Sequence, residues 1–288
     1  MSEPSANAVS PSGGLLAREA RALASACTFL TRLPAWRFVA HDTGDLPRSA
    51  AYFPLIGALV GGVGATVLAA GLIWWTPLVA ATLSTIATVR FTGAFHEDAL
   101  ADSLDGFGGG WDREQVLAIM KDSRVGSYAL VGMCLALLLK CATLTEVATT
   151  GAVHWSGMPL VARVLVAAHA MGRCASVWLI AVLPYVRPAS ATPDKRESAG
   201  RPFVNGVSRW RVLFATIATL VIGAACLGQS LLVVMLVAVV GTILAGRYFR
   251  RRIGGITGDA LGAVNQVVEV LVYLTITALP TTMESVAP

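Results

Sequence analysis

Phe53-Pro54-Leu55-Ile56-Gly57-Ala58-Leu59-Val60-Gly61-Gly62-Val63-Gly64-Ala65-Thr66-Val67-Leu68-Ala69-Ala70-Gly71-Leu72-Ile73-Trp74 carries no charged side chain over its whole length. A helix needs about 20 predominantly apolar residues to cross the hydrocarbon core of a bilayer. This run meets that length, and others like it recur along the chain. Spans are predicted near 53–74, 76–93, 126–146, 160–184, 212–227, 230–246 and 261–280. Trp74, Trp75 and Pro77 mark a tight interfacial turn between the first two, and Gly228-Gln229 separates the short fifth and sixth. The segment 15–33 holds Arg18, Glu19, Arg21 and Arg32. It is too charged for a simple span and reads as an interfacial or re-entrant helix.

Composition agrees. The 288 residues are 55% hydrophobic and 14% charged, where soluble domains carry about a quarter charged residues; the mean hydropathy is +0.68. The expected fold class is all-α, a polytopic integral membrane bundle of about seven transmembrane helices with an N-terminal interfacial or re-entrant helix. Residues 1–14 read as a disordered tail without a cleavable signal peptide, 15–280 as one membrane-embedded catalytic domain, and 281–288 as a short C-terminal tail. The five cysteines form no CxxC pair and read as small apolar side chains, not a zinc or disulfide framework.

Sidedness follows from Lys and Arg. With the N-terminus in the cytoplasm, the inside segments are 1–52, 94–125, 185–211 and 247–260. Of 22 Lys and Arg, all but Lys140, Arg163 and Arg173 lie in these segments or at their edges, a strong positive-inside pattern. The formal net charge of +5 therefore needs no nucleic-acid partner, and the bilayer is the partner that composition implies.

The reactive side chains gather on that inside face. Phe95-His96-Glu97-Asp98-Ala99-Leu100-Ala101-Asp102-Ser103-Leu104-Asp105-Gly106 places Asp98, Asp102 and Asp105 at i, i+4 and i+7, on one face of a helix. Like charges so close gain by holding a divalent cation such as Mg²⁺; a solvated, salt-bridged loop is the plain alternative. Gly106 to Gly110 should then break the helix. Lys121-Asp122-Ser123-Arg124-Val125-Gly126-Ser127, ahead of a span, suits an anionic group at a helix N-terminus or serves as an interfacial anchor. Gly254-Gly255-Ile256-Thr257-Gly258-Asp259 makes a tight surface turn, and Gly258, Gly262, Asn265 and Glu269 continue at helical spacing. A Glu at that depth is costly without a role or a partner. Arg173, four residues after His169, pairs with Glu269 or reaches a substrate phosphate. A lone buried His is more often structural, so His169 is left out of the site, and Trp155 is read as an interface residue.

Together these segments resemble the adenosylcobinamide-GDP ribazoletransferase (cobalamin synthase, cobalamin-5′-phosphate synthase) family. The resemblance rests on Phe29-Leu30-Thr31-Arg32-Leu33-Pro34, Tyr52-Phe53-Pro54-Leu55-Ile56-Gly57, the acidic segment, Met120-Lys121-Asp122-Ser123-Arg124-Val125-Gly126, the Gly254–Asp259 turn, Asn265 and Glu269. It covers residues 29–269. Ala99 departs from the family's glycine, and 185–211 matches only loosely. The resemblance implies a bacterial inner-membrane enzyme that joins adenosylcobinamide-GDP to α-ribazole or α-ribazole 5′-phosphate and releases GMP, with Mg²⁺ as cofactor. On the matching residues it implies metal ligands at Asp98, Asp102, Asp105 and Asp259. It gives catalytic roles to Lys121, Arg124 and either Asp98 or His96 as general base, and substrate contacts to Ser123, Arg173, Gly258, Asn265 and Glu269. A homo-oligomer is admitted but not indicated. The rival readings are a CDP-alcohol phosphotransferase-like enzyme, whose Ala-Arg pair after the first Asp-Gly is missing here, and a secondary transporter, which would concentrate polar groups at the midplane.

Overall fold

The computed structural model describes residues 14–35, 46–150, 158–186 and 207–279. The expected tails, Trp155, and most of the 185–211 loop lie outside these residues. The described residues hold eleven α-helices: α1 (Leu15–Leu30), α2 (Leu46–Ser49), α3 (Phe53–Trp74), α4 (Pro77–Thr92), α5 (Phe95–Gly109), α6 (Arg113–Ile119), α7 (Ser127–Thr149), α8 (Leu160–Val182), α9 (Arg209–Leu227), α10 (Leu231–Ile253) and α11 (Gly258–Ala278), with short 3-10 turns at Ala50–Tyr52 and Gly228–Ser230. The only β pairing among the described residues is an isolated parallel bridge between Tyr185 and Ile256.

Five continuous helical stretches are long and apolar enough to cross a membrane, and a sixth appears if α4 and α5 count as one bent span. The longest, Arg209–Ile253, runs 45 residues. Straight, it would reach about 68 Å, more than twice the hydrocarbon thickness. It folds back instead. Gly228 takes a positive φ of 54°, Leu231 returns onto Gly223, and Gly246 meets Leu179. So α9 and α10 are two antiparallel legs, divided where Gly228-Gln229 suggested.

The expected span at 76–93 needs correcting. α4 has 16 residues, about 24 Å of rise, and passes the apolar test only together with α5, from which it is bent by 92°. The break sits at Gly93 and Ala94, with φ of 72° and 61°. Glycine takes this conformation freely, whereas alanine does so only under local strain. The chain after α1 secures the break: the Arg32 amide donates to the Phe91 carbonyl at 2.8 Å. The acidic segment is therefore no surface loop. It is the second helix of a sharply bent pair, packed between α11 and α7.

The core is α3 against α8, with α11 against α8 and α5. Glycine permits the closest contacts. A side chain at Gly57 or Gly61 would strike the α8 backbone at His169 or Leu165, and one at Gly262 would strike the Ala99 methyl. Ala99 thus packs against a glycine on the facing helix. α8 is buried along most of its length, as expected of the central helix. α1 packs Ala26 and Leu30 into this core, and Glu19 ties it to α9 and to Tyr52. The Glu19 carboxylate accepts from Arg211 Nη1 and Nη2, each at 2.5 Å, and from the Tyr52 hydroxyl at 2.6 Å. The Arg211 hydrogen bonds hold the Glu19 carboxyl down at about 2, so this tie stays ionised through the physiological range and weakens only in strong acid.

Candidate active site

The start of α11 meets α5 at one end of the bundle, the end that also carries the Arg250–Arg252 cluster. Gly254 closes α10 with φ of 83°. The next residues run beside the end of α8: Ile256 N donates to the Pro184 carbonyl at 2.9 Å, and Val186 N to the Ile256 carbonyl at 2.8 Å. A side chain at Gly255 would strike that Pro184 carbonyl. Thr257 then caps α11, its hydroxyl accepting from Ala260 N at 3.1 Å. Asp259 is set in the first turn as a result, facing α5.

Between α1, α3, α5, α8 and α11 lies a cavity of about 190 Å³ whose wall includes His96, Asp98, Arg173, Gly258, Asp259 and Asn265. Six of the residues read as site candidates thus converge there. Asp102 stands just beside it, in the fields of Asp259, Asp98 and Asp105, and Lys121 is the cation acting on Asp259. Asp98 also lines a second, polar chamber of about 490 Å³ with Thr31, Arg32, Thr92, Gly93 and Ala94.

Other candidates are placed differently. Asp105 spends both oxygens on α7, accepting from Gly126 N at 2.6 Å and Ala129 N at 2.8 Å. The anion at that helix N-terminus is therefore a side chain of the protein. Asp105→Ala should leave the buried Ala129 amide and the partly buried Gly126 amide without this acceptor, a cost of about 1–3 kcal/mol, read as a lower thermal unfolding midpoint in detergent; Asp105→Asn, which keeps one acceptor oxygen, should lose less. Arg124 is turned to solvent, bonded to Asp122 through Nη2 at 2.5 Å with its side chain 88% exposed. That guanidinium holds the Asp122 carboxyl down at about 2. Ser123 is exposed in the same loop. Gly106 to Gly109 do not break α5, which runs through Gly109. Gly106 lies against Met120 and Gly108 against Tyr128, so these glycines serve close packing.

Glu269 is fully buried and outside the cavity wall. Lys140 Nζ donates to its Oε2 at 2.9 Å, His169 Nδ1 lies 2.9 Å from its Oε1, and Arg173 Nη1 donates to the same oxygen. The Arg173–Glu269 pairing was legible as one of two alternatives; Lys140 was missed, although a Lys in the middle of an apolar run was its signal. Arg173 joins this ion cluster to the cavity floor. The aromatic wall, Phe29, Phe53 and Phe95, was also missed, since its members come from three separated helices.

Among the described residues no three His, Cys, Asp or Glu side chains close into a ready-made metal cage. Mg²⁺ asks for less. It holds to one or two carboxylates, keeps several waters and takes its remaining oxygens from substrate phosphates. Asp98 and Asp259, both on the cavity wall, fit that mode; an all-protein cage does not fit.

The model of the cobalamin-5-phosphate synthase family matches residues 22–277 of this chain. Curated relatives named adenosylcobinamide-GDP ribazoletransferase align along most of both chains. The one from Ralstonia pickettii strain 12J is 41% identical over 259 residues, covering 88% of this chain and 93% of the relative. That from Shewanella amazonensis is 39% identical over 267 residues, 91% and 96%, and that from Leptothrix cholodnii 38% over 267, 90% and 96%. No solved structure matches this chain.

Proposed function

This chain belongs to the cobalamin-5-phosphate synthase family, and from that premise we propose that it performs the transfer for which its relatives are named. It is a membrane-bound transferase that joins adenosylcobinamide-GDP to α-ribazole, or to α-ribazole 5′-phosphate, and releases GMP. The observation that carries the reading is the meeting of Asp98, with Asp102 beside it, and Gly258-Asp259 at the start of α11 on one cavity.

The roles follow from position. Asp98 and Asp259 would hold Mg²⁺, with Asp102 as their neighbour. When bound, the ion supplies charge neutralisation and orientation to a diphosphate. Lys121 adds positive charge at the Asp259 side. His96 Nδ1, buried and without a protein partner, takes the proton from the attacking ribose ring hydroxyl, a group that is free in both acceptors. That ribose oxygen forms its bond to the phosphorus on the cobinamide side while the bond to the GMP oxygen breaks. Such transfers depend mostly on positioning and charge stabilisation, which suits a cavity reached from one membrane face. The basic end of the bundle faces the cytoplasm of a bacterial inner membrane on this reading, as its excess of arginines supports.

The test is release of GMP, in step with formation of the cobalamin product, from purified protein in lipid nanodiscs given both substrates and Mg²⁺. Removal of Mg²⁺ with EDTA should stop it, and readdition should restore it. Absence of GMP with both substrates and the ion present would overturn the assignment.

A further inference from the structure

The inner end of the main cavity holds more hydrogen-bonding capacity than the protein satisfies. Asn265 is 1% exposed, yet neither its Nδ2 nor its Oδ1 has a partner. His96 Nδ1 and Arg173 Nε, on residues 3% and 1% exposed, are also unmet. An unmet buried donor or acceptor is costly, so several around one void call for a polar ligand. The facing wall is aromatic. The Phe29 and Phe53 rings stack at 5.8 Å between centroids, and Phe95 meets Phe29 edge-on at 5.3 Å. Water alone would serve the polar atoms and leave the rings unused. A planar nitrogen heterocycle bearing a sugar serves both.

The two chambers share Phe29, Phe95 and Asp98, as a reaction between two substrates at one carboxylate requires. The donor's diphosphate is flanked by a nucleoside on one side and a macrocycle on the other, so it needs open ground. The wider polar chamber beside Arg32 provides it. We infer that the narrower chamber is the acceptor subsite, where Asn265 bonds both a ring nitrogen and the ribose 2′-hydroxyl of a heteroaromatic α-nucleoside packed on the phenylalanine wall. This rests on the transfer reading above and deepens it. The stereochemistry is specific. In an α-nucleoside the base and the 2′-hydroxyl lie on the same face of the ribose, so one carboxamide spans them; in the β anomer they lie on opposite faces.

Binding without turnover tests this, using full-length protein in nanodiscs and calorimetry with α-ribazole, its β anomer and GDP as separate probes. Wild type should prefer the α anomer by about tenfold, the scale of one good hydrogen bond. Asn265→Leu should weaken α-ribazole about tenfold or more, erase the anomer preference and leave GDP within twofold. Asn265→Asp keeps the shape but loses the donor, and should fall between. Phe53→Leu, which alters the wall of that chamber and not of the other, should weaken α-ribazole with GDP unchanged. If Asn265→Leu weakens GDP and spares α-ribazole, the chamber belongs to the guanosine and the inference fails; if it moves neither, the pocket holds only water and the inference fails as well. Either failure leaves GMP release by wild type intact, whereas loss of that release would count against the activity itself.

Discussion

Asp98→Asn is expected to cut GMP release by on the order of a thousandfold, the scale seen when one placed electrostatic group is removed from a reacting centre, while the protein still inserts and melts as wild type. The reason is its position. Asp98 is the carboxylate common to both chambers, so its charge acts where donor and acceptor meet. It has no structural contact to lose like that of Asp105, and the amide is nearly isosteric. The loss should fall on kcat far more than on acceptor KM, because the acceptor contacts assigned to Asn265 and the phenylalanines are untouched. Steady-state kinetics in nanodiscs, with a detergent melting curve on the same sample, checks this. A variant within tenfold of wild type would remove Asp98 from the chemistry.

Glu269→Ala should be worse for the fold than for any single catalytic step. It leaves Lys140 and Arg173, 2% and 1% exposed, as cations facing one another without their shared carboxylate. Breaking a buried ion pair from one side costs about 3–5 kcal/mol, enough to deplete the folded protein in the membrane. The decisive comparison is with charge-balanced variants. Lys140→Met combined with Glu269→Gln removes one charge of each sign and should recover much of the yield and melting temperature that Glu269→Ala loses. If Glu269→Ala melts as wild type, the cluster contributes nothing to stability.

The spans were legible because bilayer thickness sets one length scale, and the apolar runs announce it whatever they pack against. That the acidic segment and the Gly254–Asp259 turn share a site also followed, since sidedness alone puts both on one face. The bend at Gly93–Ala94 was not legible. It depends on Arg32, some sixty residues earlier, holding the Phe91 carbonyl, and no local pattern reports such a contact. Nor was the division of labour within the acidic face. Helical spacing put Asp98, Asp102 and Asp105 together, but only the approach of α7 decides that Asp105 anchors a helix. Arg124 and Ser123 stand away from the cavity wall for a related reason: a motif fixes which residues neighbour in sequence, while the conformation of the loop fixes which of them turn inward. Lys140 lay in plain view as a charge inside an apolar run. Its partner was 129 residues away, too far to be paired by inspection.

The Lys140–Glu269–Arg173 cluster sets an order of events in biogenesis. The two cations belong to α7 and α8, which emerge from the ribosome well before the acid on α11. Until that last helix arrives, both must wait in contact with water, the translocation channel or lipid headgroups. Neutralisation thus becomes the closing step of assembly, a latch that engages only when the final segment docks, and quality-control proteases have their clearest window just before it.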